Sequence, residues 1–263
     1  MTLDVVIATY GPEGIERVSK MFLPKTENVK YIVSWQNHQD GPIPENLQRD
    51  DISIYRLNNK GVSNNRNNAI AQSKADLIYL SDDDIILMPE ALQKIMQRFD
   101  EYPDTDMATF MMYERNRKKY PEGITDLGFY LPKGYNVGTY QMAFKRNLFP
   151  AIQFNTAFGP NSGKFETSED ELFHLTFRKK GYKCRFFPDV IASHPHEATG
   201  RRAITDPRAI YGMGAIITLS FPKTFWLRIP IKAYRMYKNG QYKLLSGIRD
   251  LAIGSIKSFK VKI

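Results

Sequence analysis

Short runs of apolar residues alternate with more polar stretches along the first third of the chain. The runs are rich in β-branched and aromatic residues, and they predict strands at residues 5–8, 31–34, 52–55 and 77–80. The polar stretches predict helices at 13–21 and 63–73. Strands that alternate with helices are typical of an α/β fold with a mostly parallel, doubly wound sheet. Ligands of such sheets bind beyond the carboxyl ends of the strands.

Polar residues follow three of these predicted strands, at the ends where a ligand would bind. Thr9 and Tyr10 follow the first strand, Gln36 follows the second, and three aspartates at 82–84 follow the fourth. Three adjacent carboxylates repel one another, and at the end of a buried strand a divalent cation offsets that repulsion most simply. Hard oxygen ligands suit Mg²⁺ or Mn²⁺. The alternative is a solvated turn that caps a helix expected near Pro89.

The positive charge of the chain is concentrated in one segment. The 263 residues have a formal net charge of +9, but residues 1–220 carry 27 basic and 27 acidic side chains. Residues 221–263 carry ten Lys or Arg and a single acid, Asp250. A neutral body with a cationic tail differs from a uniformly basic, nucleic-acid-binding chain, so we expect no nucleic-acid partner. The single cysteine, Cys184, excludes an internal disulfide and favours a reducing, cytoplasmic compartment.

Three segments resemble the family 2 glycosyltransferases of GT-A fold in their order and approximate spacing. They are Val5-Val6-Ile7-Ala8-Thr9-Tyr10, the stretch from Asn59 to Ile70, and Leu80-Ser81-Asp82-Asp83-Asp84 with Pro89. The resemblance implies a nucleotide-sugar donor whose diphosphate is bridged to the protein by a metal at an Asp-x-Asp motif. It implies that Asp84 is a metal ligand and that Asp82 is a second one, nearer the ribose. Asp83 belongs to the motif if the register is shifted by one residue.

The same resemblance assigns further donor contacts. Thr9 and Tyr10 match positions that hold the nucleoside, and Arg66 matches an arginine near the base and the phosphates. A guanidinium suits that role because it is planar and permanently charged. The family commonly has an acid after the second strand that reads the uracil edge, whereas this chain has Gln36, whose amide can pair with a base edge.

A predicted helix at 167–181 carries acidic residues in its first turn. Ser168 and Glu171 form a capping-box pattern and Gly181 ends the helix, so capping alone would explain these acids. The stretch also resembles the family's Glu-Asp-x-x-Leu motif, which implies that Asp170 is the general base and Glu169 a supporting residue. One-step attack by the acceptor hydroxyl would then invert the anomeric carbon.

A His-x-His sequence follows, and its two histidines leave two interpretations open. The family resemblance implies that His194 approaches the metal or the diphosphate. The alternative is an ordinary polar turn that contains His194 and His196.

The basic tail has helical spacing, and its function is open between two interpretations. One stripe is apolar and comprises Leu244, Leu245, Ile248, Ala252, Ile256 and Phe259. The tail either packs on the catalytic domain with a solvated basic face, or it anchors the protein at an anionic membrane surface. We expect a GT-A catalytic domain at 1–220, with a donor half at about 1–90 and an acceptor half at about 91–220. The helical amphipathic extension covers 221–263.

Together these features predict an inverting, metal-dependent glycosyltransferase of cell-surface polysaccharide synthesis. It would move a sugar from a UDP-sugar to a glycan or lipid-linked glycan acceptor, at the inner face of the cell membrane. The enzymatic alternative is a sugar-nucleotide pyrophosphorylase, whose Gly-rich basic loop after the first strand is not matched by Thr9-Tyr10-Gly11-Pro12. A basic nucleic-acid-binding protein is a more remote alternative, because it gives no role to the three aspartates.

Overall fold

The protein is described by a computed structural model that covers residues 1–113, 119–193 and 206–262. The chain divides into two compact units. The first unit comprises Met1–Lys60, Asn64–Gln153 and Thr176–His196, and the second comprises Gly61–Ser63, Phe154–Leu175 and Glu197–Ile263. The expected domain boundary at residue 220 stays a prediction.

The strands lie in the first unit. They are β1 (Leu3–Tyr10), β2 (Val29–Gln36), β3 (Ile52–Leu57), β4 (Leu77–Asp82), β5 (Ile86–Leu87), β6 (Met107–Tyr113), β7 (Thr125–Leu127), β8 (Met142–Lys145) and β9 (Cys184–Ser193). The helices are α1 (Gly11–Lys20), α2 (Val62–Gln72), α3 (Ala91–Glu101), α4 (Glu169–Lys179), α5 (Pro207–Ser220), α6 (Phe225–Lys238) and α7 (Leu244–Ser258).

Within the described residues the strands form one nine-stranded sheet. Its order is β3-β2-β1-β4-β8-β6-β9-β5, and β7 pairs with β9. The four strands predicted from the sequence are confirmed, and they pair in parallel in the order β3-β2-β1-β4. The other half is mixed, because β8 is antiparallel to both β4 and β6 whereas β6 and β9 are parallel. The fold class is therefore α/β, and the half of the sheet formed by β3, β2, β1 and β4 is entirely parallel.

The core of this unit lies on both faces of the central strands. Residues 3–7 of β1 are all buried, which explains why its apolar run does not alternate with polar residues. The amphipathic helices α1 and α3 contribute Ile15 and Val18, and Ile95 and Phe99, to this core. The strands also extend beyond the apolar runs, since the ladder of β1 and β2 continues to the pair Tyr10 and Gln36.

The second unit contains α5, α6 and α7. A small core is formed by Ile210, Ile229, Ala233, Met236 and Leu251. The buried face of α7 consists mainly of small residues, and part of the predicted apolar stripe is instead exposed, namely Leu245, Ile256 and Phe259. Among the described residues, no helix combines the length and the apolar character that crossing a bilayer requires.

Candidate active site

The carboxyl ends of three parallel strands bring four of the predicted site residues to one edge of the sheet. Tyr10 of β1 pairs with Gln36 of β2, and on the other side of β1 Ala8 pairs with Asp82 of β4. Thr9 and Gln36 are buried, and Tyr10 is 51% exposed. The expected grouping of Thr9, Tyr10, Gln36 and Asp82 is therefore present in the structure.

Asp83 is held by contacts from β1 and α1. The Thr9 hydroxyl donates to Asp83 Oδ2 at 2.6 Å. Arg17 makes a two-point contact, with Nε 3.1 Å from Oδ1 and Nη2 2.8 Å from Oδ2. The hydrogen bond with Asp83, reinforced by the charges of Asp83 and Asp84, raises the pKa of Arg17. Asp83 therefore joins β1, α1 and the end of β4.

Arg17 contacts the candidate site, although no pattern in the sequence predicts that contact. It lies in the last turn of α1, where a cation is common in any helix, and no motif marks it. Its contact with Asp83 depends on how α1 folds back along the sheet, which the hydrophobic pattern does not specify.

Arg66 and Asn65 of α2 fix the ends of two strands. Arg66 is 7% exposed, and its Nη2 lies 2.9 Å from Asp82 Oδ1 and 3.1 Å from Thr139 Oγ1. Asn65 Nδ2 donates to the backbone oxygen of Thr9 at 2.8 Å. The motif at 59–70 thus supplies side chains that hold the strand ends, and Arg66 orients the carboxylate of Asp82.

The three aspartates offer only carboxylate oxygens to a metal ion. Asp82 has a side chain that is 28% exposed, and Asp84 is half-buried. Across residues 1–113, 119–193 and 206–262 there is no group of three or more His, Cys, Asp or Glu side chains placed to hold a metal. Mg²⁺ and Mn²⁺ sites often use one or two carboxylates and complete their shell with water and substrate phosphates. Asp82 and Asp84 fit an ion of that kind.

Glu169 and Asp170 open α4, and both belong to the second unit. Asp170 Oδ1 accepts from the backbone N–H of Glu171 at 2.8 Å. The Ser168 hydroxyl donates to the carboxylate of Glu171. This contact joins the two side chains, whereas a capping box pairs each side chain with the backbone N–H of the other residue. Burial raises the pKa of Glu171 above its ordinary value, and the Ser168 hydrogen bond and the charge of Lys232 oppose that rise.

Gly159 allows a loop of the second unit to pass close to Glu169. Its φ is +94°, and a Cβ at this position would lie 2.6 Å from Val62 Cγ1 and 3.0 Å from Glu169 Cγ. Any other residue would be strained at this positive φ, would displace the side chain of Val62 and would crowd that of Glu169. His194, the predicted histidine of the site, lies outside the described residues.

Comparisons with known sequences identify the family of the chain. The model of Glycosyl transferase family 2 matches residues 13–164. A protein of Campylobacter jejuni subsp. jejuni, named GalNAc(5)-diNAcBac-PP-undecaprenol beta-1,3-glucosyltransferase, is 28% identical over 176 residues. That alignment covers 60% of this chain and 56% of the relative, so the match spans just over half of the relative's length.

Solved structures share the fold at low sequence identity. S. aureus TarS 1-349 has a TM-score of 0.57 at 15% identity, over 99% of this chain and 92% of that one. The same protein in complex with UDP-GlcNAc gives 0.57 at 16% identity, over 98% and 88%. Mannosyltransferase PcManGT from Pyrobaculum calidifontis, in complex with GDP-Man and Mn²⁺, gives 0.58 at 12% identity, over 98% and 87%.

The family match covers more than half of the chain and includes the three aspartates at the end of β4. This match shows that the chain belongs to glycosyltransferase family 2, and the solved structures show that it has the GT-A fold.

Proposed function

We propose that this glycosyltransferase moves a sugar from a nucleotide-diphosphate sugar to a hydroxyl group of a lipid-linked glycan, with inversion of the anomeric carbon. The observation that carries the proposal is the convergence of Thr9, Gln36 and Asp82 at the carboxyl edge of the parallel strands, where α/β sheets bind nucleotides. Arg66 supports it, because it orients Asp82 from α2.

The proposed donor is a UDP-sugar. Two solved relatives of the fold bind nucleotide sugars, one UDP-GlcNAc and the other GDP-Man with Mn²⁺. In this chain Gln36 is buried at the end of β2, and its amide has the donor and acceptor atoms that pair with a uracil edge. Thr9 and Tyr10 are proposed to complete the nucleoside site.

The proposed cofactor is Mn²⁺ or Mg²⁺, held by Asp84 and Asp82 together with the donor diphosphate. When bound, such an ion would neutralise the charge that develops on the leaving diphosphate. Asp83 is already bound by Thr9 and Arg17, so its proposed role is to fix the turn that carries the two neighbouring carboxylates. His194 is proposed to approach the metal or the diphosphate.

Asp170 is proposed to remove the proton from the attacking hydroxyl, and Glu169 to orient the acceptor. The position of Asp170 in the first turn of α4 supports the role, because the positive end of the helix dipole favours its ionised form. A direct attack with no covalent intermediate gives inversion.

The acceptor is proposed from the sequence relative. Its name describes transfer to a glycan linked through diphosphate to undecaprenol. A lipid-linked glycan acceptor in polysaccharide synthesis would require this chain to work at a membrane. We therefore propose peripheral association with the inner face of the cell membrane through residues 221–263.

A panel of nucleotide sugars, each tested with Mn²⁺ and with Mg²⁺, would test the proposed reaction by the release of nucleoside diphosphate. We expect release from a UDP-sugar in the presence of a lipid-linked acceptor. Formation of a nucleotide sugar from a nucleoside triphosphate and a sugar phosphate would instead support the pyrophosphorylase alternative.

The Asp170→Asn variant tests the base. We expect sugar transfer to fall by about 10²- to 10⁴-fold, the usual contribution of a positioned base, while donor affinity stays the same. Asp100→Asn, which changes an exposed aspartate of α3, is the matched control and should be fully active. Full turnover by Asp170→Asn would refute the assignment.

A further inference from the structure

One side of α6 is exposed although its residues are apolar or aromatic. The opposite side packs into the small core through Ile229, Ala233 and Met236. At about 3.6 residues per turn, the exposed residues form one continuous surface along the helix. This α6 outer face consists of Trp226, Leu227, Pro230, Ile231, Tyr234 and Tyr237.

Cations border the α6 outer face. Arg228 and Arg235 lie along one edge, and Lys238 lies at the C-terminal end; all three are exposed. Arg228 is held in place, because its Nε donates to Thr224 Oγ1 at 3.1 Å and its guanidinium lies 3.6 Å from the ring centre of Phe221.

The segment has no exposed acid to offset these cations. Asp250, the one acid in the sequence from 221 to 263, is fully buried. It accepts from the Tyr242 hydroxyl at 2.8 Å and from Arg249 Nε at 2.9 Å. The α6 outer face is therefore both apolar and electropositive.

We propose that the α6 outer face binds the surface of an anionic lipid bilayer. Leu227 and Ile231 would enter the boundary of the acyl chains, Trp226 and the two tyrosines would lie among the headgroups, and the bordering cations would contact lipid phosphates. If the α6 outer face were only exposed to solvent, we would expect polar residues there. If it bound a positively charged partner, the bordering cations would repel that partner. The inference rests on the proposed function in one respect, since a lipid-linked acceptor places the reaction at a bilayer.

The length of α6 agrees with a helix that lies in the plane of the bilayer. Its 14 residues extend about 21 Å, less than the hydrocarbon core of about 30 Å that a spanning helix must cross. Exposed Leu245, Ile256 and Phe259 of α7 add apolar surface to the same unit.

The two tryptophans of the chain provide a direct test. Trp35 is 1% exposed, whereas Trp226 is 61% exposed, so only Trp226 can change its environment when the α6 outer face meets lipid. The full chain is mixed with vesicles of phosphatidylcholine, with or without phosphatidylglycerol, and flotation and tryptophan emission are recorded. We expect flotation and a blue shift with the anionic vesicles alone. Trp226→Phe should still float but show no shift.

Point variants measure the contributions of the apolar residues and of the cations. Replacing Leu227 and Ile231 together by Ser should weaken vesicle binding by about tenfold or more. Arg235→Gln should weaken it by about fivefold. Tyr130→Ser, which removes an exposed aromatic residue of the first unit, should leave vesicle binding unchanged. Deletion of 221–263 is less suitable, because Leu251 shares a core with Ile210.

Three results would overturn the proposal. They are failure to float with anionic vesicles, flotation without a change in Trp226 emission, and emission that is already blue-shifted in a vesicle-free dimer, which would mean that a second copy covers the face. Sugar transfer to a detergent-solubilised lipid-linked acceptor, measured without vesicles, tests the proposed function separately. Failure of that transfer together with a lipid-dependent shift of Trp226 emission would contradict the proposed function but not the proposal that the α6 outer face binds lipid.

Discussion

The three adjacent aspartates differ in what their carboxylates contact. Asp82 contacts buried Arg66, whereas Asp83 contacts Thr9 and Arg17. Asp84 contributes to the electrostatic environment of Arg17. The sequence places all three at the end of a strand but cannot separate them, because the direction of a side chain in a turn depends on its tertiary partners.

Arg17 offers a test of this division of roles. Arg17→Gln would remove the two-point contact with Asp83 that fixes the turn carrying Asp82 and Asp84. It would also remove a positive charge beside Asp84, which by itself favours cation binding, and we expect the loss of the fixed turn to outweigh that gain. Partners that orient metal ligands typically change metal affinity by about 10- to 100-fold. We expect the Mn²⁺ concentration for half-maximal donor turnover to rise within that range, while turnover at saturating Mn²⁺ falls much less.

The control for Arg17→Gln is Lys20→Gln on the same helix. Lys20 makes an exposed ion pair with Glu16, one turn earlier, and such pairs contribute little. The Lys20→Gln variant should need the same Mn²⁺ concentration for half-maximal donor turnover as the unchanged protein. If Arg17→Gln also needed the same concentration, the contact of Arg17 with Asp83 would have no role in the metal site.

At the scale of elements, the sequence predicts which segments are helical better than it predicts which faces they bury. The apolar stripe of α7 suggested a packing surface, and Leu244 and Ile248 do pack partly against the core. The fully buried face instead includes Gly247, Gly254 and Ser255. The hydrophobic periodicity shows where apolar residues lie along a helix. It does not show where two helix backbones come into contact, because small residues form that contact.

The close crossing of α5 and α7 gives a prediction about stability. A Cβ on Gly214 would lie 2.1 Å from the backbone oxygen of Leu251, and one on Gly254 would lie 2.0 Å from that of Tyr211. Either Gly→Ala change must separate the helices, at a cost of about 1–3 kcal/mol. We expect the melting temperature to fall by roughly 4–8 °C for a cost near the middle of that range.

Gly128→Ala is the matched control for the glycine variants. A Cβ at Gly128 meets nothing within 4 Å, and its φ is not positive. Its melting temperature should stay within about 1 °C of the unchanged protein, as for most surface substitutions. A similar decrease in all three variants would mean that the loss of glycine flexibility, and not the helix contact, determines the effect.

At the scale of the whole molecule, the hydrophobic pattern predicts the first half of the sheet but not the second half. The runs that became β1 and β4 are continuous and apolar because both faces of these strands are buried. The strands β5 and β7 have only two and three residues, too few to give a periodic pattern. Pairing of β8 between β4 and β6 is a long-range contact that no local pattern reports.

The candidate site was predictable to a similar extent. Its strand-end residues follow from the rule that parallel strands share a carboxyl edge, and Asp170 followed from a family motif on a helix. Arg17 was missed because it contributes a single side chain from a segment without a motif. The contact of Thr139 with Arg66 joins residues 73 positions apart, which no local pattern reports.

Donor binding should be visible as a change in the stability of the whole chain. A ligand present at about one hundred times its dissociation constant stabilises the folded state by about 2.7 kcal/mol, which corresponds to a rise of roughly 5–10 °C in melting temperature. We expect this rise with UDP and Mn²⁺ together, measured by thermal unfolding. Chelation of the metal with EDTA should remove most of this rise, because the diphosphate would then meet the carboxylates of Asp82 and Asp84 without the proposed cation.

Two variants distinguish the stabilisation by UDP and Mn²⁺ from general effects on folding. Asp84→Asn should lose the rise, since it removes a proposed metal ligand from the end of β4. Gly214→Ala should begin at a lower melting temperature and still show the full rise, because its helix crossing belongs to the second unit, whereas the strand-end residues belong to the first. A rise of equal size in EDTA would show that the nucleotide binds without a metal, which would contradict the bridging role assigned to the aspartates.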